Sequence, residues 1–145
     1  ATLQSRVPAR PPFPGAPVSL SVEAVVRRYL GAFDRRDPDE IAQLVADDFV
    51  NEHVAALGEG SRGRDEYRDR LPRFLASFVD LHYEIEDVVA AGDRAVVTYV
   101  LTARWQGTTP VRLRGAQRIV VRDDRVAVRT DYWDGDTFRQ QIGSR

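Results

Sequence analysis

The chain contains no cysteine, no lysine and no methionine. Without thiols, disulfides, thiolate nucleophiles and Cys-ligated metals are excluded. All 21 basic residues are arginine, which also excludes Schiff-base chemistry and a lysine general base. The missing methionine has no functional reading. No stretch approaches the roughly 20 apolar residues of a membrane span, and no apolar signal-peptide core stands near the N-terminus. A cytoplasmic protein with no membrane partner is therefore expected. A formal net charge of -1 supplies no field for nucleic acid, and neither an RNA-recognition motif nor a helix-turn-helix signal is present. The two histidines lack a matching carboxylate spacing, so neither metal nor cofactor is expected. Carboxylates, two His, five Tyr, hydroxyls and Arg remain as the catalytic inventory.

With 145 residues, 43% of them hydrophobic and 30% charged, the chain has the makeup of one globular domain able to bury a core. Most prolines fall in residues 1–18, which read as an extended or disordered tail; the domain is expected over 19–145. From Ser19 to Phe33, the residues Val22, Val25, Val26, Tyr29, Leu30 and Phe33 follow the spacing of one apolar helix face. Asp37-Pro38-Asp39-Glu40 is a helix start: Asp37 suits the cap, Pro38 the first turn and Glu40 a capping-box acid. A short extended segment to His53 and a Gly-rich loop, Leu57 to Gly63, precede a third helix from Arg64 to Phe78. Pro72 inside it predicts a bend. Beyond Asp80 the pattern is strand: Leu81–Ala90, Arg94–Gln106, then Val111–Arg122 and Val126–Trp133 as a hairpin around Asp123-Asp124. The expected fold is α+β, with three N-terminal helices covering one face of a curved, mostly antiparallel sheet.

The closing strand attracts attention. Strand alternation places Arg129, Asp131 and Trp133 on one face and Thr130, Tyr132 and Asp134 on the other. Asp134 reads as a turn acid before Gly135. If the first face lines a cavity, Asp131 and Trp133 look into it together.

The order of elements, the Phe49–His53 segment, Gly63-Arg64-Asp65 at the third helix and Asp131-Tyr132-Trp133-Asp134 before Phe138–Gly143 resemble the nuclear-transport-factor-2-like superfamily. The resemblance is to its bacterial SnoaL-like branch, beside limonene-epoxide hydrolase and ketosteroid isomerase, over about residues 19–143. It implies a cone-shaped α+β fold, a deep apolar pocket between sheet and helices, and a homodimer formed through the sheet. Epoxide hydrolases of the superfamily use an Asp-Arg-Asp set. By that resemblance Arg104 matches the Arg and Asp131 the last-strand Asp, while Gln106 stands where the other Asp would be. Asn51 and Phe49 are the counterparts of a water-holding Asn and Tyr. Epoxide opening needs both a base and an acid, and Gln106 transfers no proton, so that reaction ranks low.

The expectation is a small-molecule pocket protein acting on an apolar or polycyclic substrate by proton abstraction, as an isomerase or cyclase. Asp131, Arg104 and His53 are the candidate catalytic residues, with Arg104 orienting the Asp131 base. Asn51, Gln106, Trp133, Phe49 and Tyr83 are the candidate substrate contacts. The alternative is a non-catalytic ligand-binding or dimeric scaffold protein. His82 is a weaker candidate. Tyr99 and Trp105 are assigned to the outer sheet surface. Arg112, Arg114, Arg118 and Arg122 form a basic stripe, expected to pair with Glu84 or Glu86 across strands. The mixed charges of Arg62–Arg70 read as a solvated helix face.

Overall fold

The computed structural model describes residues 19–143, so the Pro-rich segment 1–18 lies outside the described residues. The first helix, α1 (Val22–Ala32), begins at Ser21, whose side chain accepts from the Ala24 amide. It buries Val25, Val26, Tyr29 and Leu30, the face its spacing predicts. A short 3-10 turn, Phe33–Arg35, leads to α2 (Pro38–Gln43). Asp37 caps α2 through the Asp39 and Glu40 amides. Glu40 does not close a capping box; it accepts from Arg35 at 2.6 Å instead. Strand β1 (Val45–His53) is longer than its sequence suggests, and β2 (Ser61–Arg62) pairs back onto it. Helix α3 (Arg64–Ser77) runs through Pro72 and buries Tyr67, Leu71 and Leu75.

Four long strands follow: β3 (Phe78–Ala91), β4 (Arg94–Trp105), β5 (Thr109–Arg122) and β6 (Arg125–Tyr132). The six strands are ordered β2-β1-β6-β5-β4-β3, antiparallel except for the parallel pair of β1 and β6. The closing strand thus sits centrally, between β1 and β5, with α1 and α3 packed on the inner face. A core of Tyr29, Phe33, Phe49, Ile41, Val97 and Ile119 lies between these layers, all at most 1% exposed. The expected α+β class, with helices covering one sheet face, is what the structure has.

The outer face is polar. Arg114 meets Glu86 through two hydrogen bonds of 2.8 Å, as the cross-strand ladder predicts, and Arg122 reaches Asp48. In the mixed-charge segment, Arg64 bonds the Val45 carbonyl and Asp47, and Arg68 bonds Asp39. That helix face is thus fastened to α2 and β1 rather than merely solvated.

One element goes beyond the sequence reading. Helix α4 (Gly135–Ile142) begins at Asp134, which accepts from the Asp136 amide at 2.9 Å and from Thr137 Oγ1 at 2.8 Å. Asp134 is a helix cap, and these bonds hold its carboxyl below the usual range. Gln141 clasps the backbone N–H and carbonyl of Arg112, blunting an open stretch of β5. None of the α4 residues is fully buried. Its retention therefore depends on the cap, on Gln141 and on Phe138 packing. Asp134→Ala should speed amide hydrogen exchange across residues 135–142 by about fivefold, equivalent to ~1 kcal/mol of lost capping, while leaving exchange in β4 and β5 unchanged.

Candidate functional site

Strand register builds the site as two polar rows across the inner face of the sheet. In the first, Ser61, Asn51 and Arg129 are consecutive partners across β2, β1 and β6. In the second, His53, Asp131 and Gln117 are partners across β1, β6 and β5. Two residues separate the rows along β1 and β6, so both face the same side. All but His53 are at most 8% exposed.

Apart from Gln117, which is sealed behind Asp131, the residues of these rows form one wall of a cavity of about 530 Å³. Phe33, Tyr83, Tyr99, Leu101, Trp105 and Phe138 supply much of its apolar lining. The aromatic rings meet edge-on: Phe33 with Tyr83 at 5.2 Å, Tyr83 with Tyr99 at 5.1 Å, and Trp105 with Phe138 at 5.1 Å between centroids. Size and lining suit a small organic ligand.

Arg129 is 4% exposed. Its Nε donates to Asn51 Oδ1 at 3.1 Å and Nη1 donates to the Tyr29 hydroxyl at 2.8 Å. That hydroxyl in turn contacts the Tyr67 hydroxyl at 2.5 Å. Arg129 Nη2 has no hydrogen-bond partner among the described residues. Arginine keeps its charge in a protein interior, so this is a fixed cation.

Asp131 has no salt bridge to Arg129. Oδ1 accepts from the Tyr99 hydroxyl at 2.6 Å, and Oδ2 from Gln117 Nε2 at 3.3 Å. Burial pushes its pKa up, against the opposing pull of Arg129 and of the two hydrogen bonds. Tyr99 reaches the carboxylate because Gly115, its cross-strand partner, has no side chain. A Cβ there would lie 2.5 Å from the Tyr99 hydroxyl oxygen and 2.8 Å from the Tyr132 carbonyl. Tyr99 itself is pushed far up by burial and by the Asp131 charge, so it stays a donor.

His53 lies beside this carboxylate but does not titrate with it near neutrality. Trp133 Nε1 donates to His53 Nδ1 at 3.0 Å, which assigns the imidazole hydrogen to Nε2. Burial first, then the Arg129 charge, lowers its pKa to about 4. The 4.0 Å approach of Nδ1 to Asp131 Oδ2 is therefore not an ion pair at neutral pH. His53 serves as a neutral Nε2–H donor and wall residue rather than a neutral-pH proton shuttle.

The sequence-based candidates divide cleanly. Asp131, His53, Asn51, Trp133 and Tyr83 all line the cavity. Arg104 does not: it is exposed on the outer face and bonds Asp80 at 2.6 Å. Gln106 is exposed in the turn after β4, with φ 51°. Phe49 is sealed in the core against Tyr67 rather than in the cavity wall. Tyr99 and Trp105, expected outside, face the cavity. The inner face of β4 carries Ala95, Val97, Tyr99, Leu101 and Ala103, whereas Arg94 and Arg104 belong to the other. Burying the uncharged face decides the register, and a one-residue slip inverts every assignment on a strand. His82 pairs on the surface with Asp34 at 2.8 Å. Arg129 and Gln117 are the residues missed. The alternation that grouped Arg129 with Asp131 was a usable signal for the first, while Gln117 needed the pairing of β5 with β6.

Among the described residues, no group of three or more His, Cys, Asp or Glu is arranged to hold a metal ion. No helix among them is long and apolar enough to cross a membrane.

Comparison with known proteins agrees with this architecture. The SnoaL-like domain family matches residues 26–129. Similar solved structures include a protein of ketosteroid-isomerase-like fold from Catenulispora acidiphila, solved with trimethylamine. It is 22% identical, with TM-score 0.75 over 82% of this chain and 92% of that one. An epoxide hydrolase of the limonene-epoxide-hydrolase-like type from M. tuberculosis is 23% identical, with TM-score 0.72 over 84% and 90%. A SnoaL-like polyketide cyclase candidate from Shewanella denitrificans is 16% identical, with TM-score 0.75 over 86% and 98%. At these identities the likeness establishes the fold and not the reaction. Among curated proteins none matches significantly.

A depressed histidine pKa means that stability is present above the unfolded value of about 6.5 and lost as pH falls toward about 4. Protonating His53 therefore costs on the order of 2–3 kcal/mol across that window. Asp131, with its raised pKa, acts in the opposite sense and becomes less unfavourable as it protonates. Replacing His53 with Gln should flatten the His53 part of the acid limb, read as the difference between wild-type and variant denaturant unfolding free energies from pH 7 to pH 4.

Proposed function

We propose, from the premise that this chain belongs to the SnoaL-like domain family, that it is a cofactor-independent isomerase or cyclase using Asp131 as general base on a small apolar substrate. The observation that carries this reading is the Asp131 carboxylate itself. It lines an aromatic cavity, is held by Tyr99 and Gln117, and lacks a direct arginine partner. A carboxylate in these surroundings is a stronger base than one in water, because burial disfavours its charge.

The proposed chemistry is removal of a proton from carbon next to a carbonyl. Asp131 takes the proton and becomes neutral, while the negative charge moves onto the substrate oxygen. Arg129 and Asn51 share the cavity wall, and their charge and amide dipole favour that movement. Tyr99 and Gln117 fix the carboxylate's orientation, and the aromatic lining excludes water. Returning the proton to a different atom completes an isomerisation; attack of the carbanion on an internal carbonyl forms a ring as the C=O π bond opens to an alkoxide, which takes the proton back from Asp131.

The non-catalytic ligand-binding reading is the alternative, and the pKa direction weighs against it. A purely structural carboxylate is expected to gain from its partners, whereas ionising Asp131 costs folding free energy. Epoxide hydrolysis ranks lower because Gln117, not a second carboxylic acid, stands beside Asp131. Among the described residues, the only other carboxylate in the lining is that of the exposed Glu59.

We also propose a homodimer through the outer sheet face. Val89 and Val96 are cross-strand neighbours, 64% and 44% exposed, and Tyr132 is 45% exposed. Light scattering at micromolar concentration should give twice the monomer mass, and Val96→Glu should reduce it to the monomer mass.

Hydrogen–deuterium exchange at carbon tests the catalytic reading before the natural substrate is known. A panel of enolisable aryl ketones is incubated in D2O with the protein, and exchange is followed by NMR. Wild-type protein should accelerate exchange for members that bind. Asp131→Asn should lower the rate by about 10²–10⁴-fold while remaining folded and binding the same ketones. Equal exchange by the variant, or none by wild type with ketones shown to bind, would remove Asp131 as base.

A further inference from the structure

The polar groups of the cavity set a limit on the charge of what it can hold. Among the described residues, Arg129 is its one deeply buried cation and Asp131 its one deeply buried carboxylate. His53 is neutral, with Trp133 donating to Nδ1. Tyr29, Tyr67, Tyr83 and Tyr99 all have raised pKa values and carry their protons. The remaining charged lining residues, Glu59, Arg70 and Arg73, are exposed. The buried end therefore has zero net charge when Asp131 is ionised.

Its hydrogen-bonding capacity is lopsided as well. Asn51 spends its oxygen on Arg129, leaving its amide hydrogens to donate. Arg129 Nη2, Asn51 Nδ2, His53 Nε2–H and the Tyr83 hydroxyl have no partner among the described residues, and all four side chains line the cavity. The lining also holds the buried, unpartnered Ser61 hydroxyl, which can donate, whereas the one strong acceptor in it among the described residues, Asp131, already receives two bonds, and the unpartnered Gln117 Oε1 lies outside the lining. A ligand satisfies this set by bringing an oxygen that accepts.

We infer that the buried end of this cavity selects a neutral aryl compound with a carbonyl oxygen at its inner end and rejects the corresponding carboxylate. A carbonyl uses the unspent donors and leaves the Arg129–Asp131 charge balance intact. A carboxylate would place a second anion beside Asp131 with only one cation for both, in surroundings where water screens little. The same balance suits the proposed proton transfer, in which one negative charge moves from Asp131 to the ligand and none is added. Charge selection rests on the reading of Asp131 as an ionised, unneutralised group, but it is a property of binding and does not require turnover.

Three probes with one ring skeleton separate charge from shape: 2-acetylnaphthalene, 2-naphthoate and 2-naphthylmethylammonium. Binding of each to the full chain is measured by calorimetry at about pH 8. The ketone should bind at least about tenfold more tightly than the naphthoate. In Asp131→Asn, checked for folding by circular dichroism, naphthoate should tighten at least about tenfold and the ketone by much less. The ammonium probe should weaken in the same variant. Naphthoate binding as tightly as the ketone to wild-type protein overturns the inference, and that comparison requires no variant to fold. So does a folded Asp131→Asn protein with an unchanged gap. If the probe ranking holds while carbon-bound hydrogen exchange is absent, the selection stands and the catalytic reading fails; the reverse result separates them in the other direction.

Discussion

Burial of the Arg129 charge is the constraint on which the rest of the site depends. An arginine only 4% exposed is tolerated where acceptors and an opposite charge replace water. Asn51 and Tyr29 supply the acceptors, and Tyr67 holds the Tyr29 hydroxyl in place. The Arg129 field also reaches the neighbouring row, where it opposes protonation of His53 and partly offsets the burial cost of ionised Asp131. Since Asp131 does not contact Arg129 directly, it keeps basicity that a salt bridge would remove. Its hydrogen bonds come from Tyr99 and Gln117, groups that orient a carboxylate without neutralising it.

Placing both rows on the central strands gives this arrangement rigidity. β6 is flanked by β1 and β5, so Arg129 and Asp131 sit on backbone paired on both sides. One flank of the cavity is held by different means. Phe138 of α4 touches Trp105, Trp133 and Phe78, yet α4 contributes no fully buried residue. Stability is thus distributed unevenly, with a firmly paired floor under a lightly held cover.

Much of this was legible in the chain. The apolar spacing of Val22–Phe33, the Asp37-Pro38 helix start and the four long strands all appear near their expected positions. Asp131 and Trp133 could be placed on a common face because strand alternation is a local property. The error on β4 has a local cause too. Matching Arg104 to a family arginine turned that strand's charged face inward, although the opposite face offered Ala, Val, Tyr, Leu and Ala. Arg129 is legible two residues before Asp131, on the face that strand alternation assigns to both. Gln117 was not legible, because its relation to Asp131 arises only when β5 pairs with β6. Helix α4 was hidden by its brevity, and a single cap acid had been read as a turn.

Structures of this fold include an epoxide hydrolase and a polyketide cyclase candidate, so the chemistry proposed for this chain rests on its two polar rows rather than on its fold. Their central element is a carboxylate that is buried, ionisable and not neutralised by contact. Carbon-13 NMR titration of the aspartate side-chain carboxyls measures that directly. Asp131, assigned through its loss in Asp131→Asn, is predicted to titrate above the ordinary aspartate value of 3.8, while the capping Asp134 titrates below it. An Asp131 midpoint at or below the ordinary value would contradict this, marking a carboxylate stabilised as a structural anion rather than held as a base.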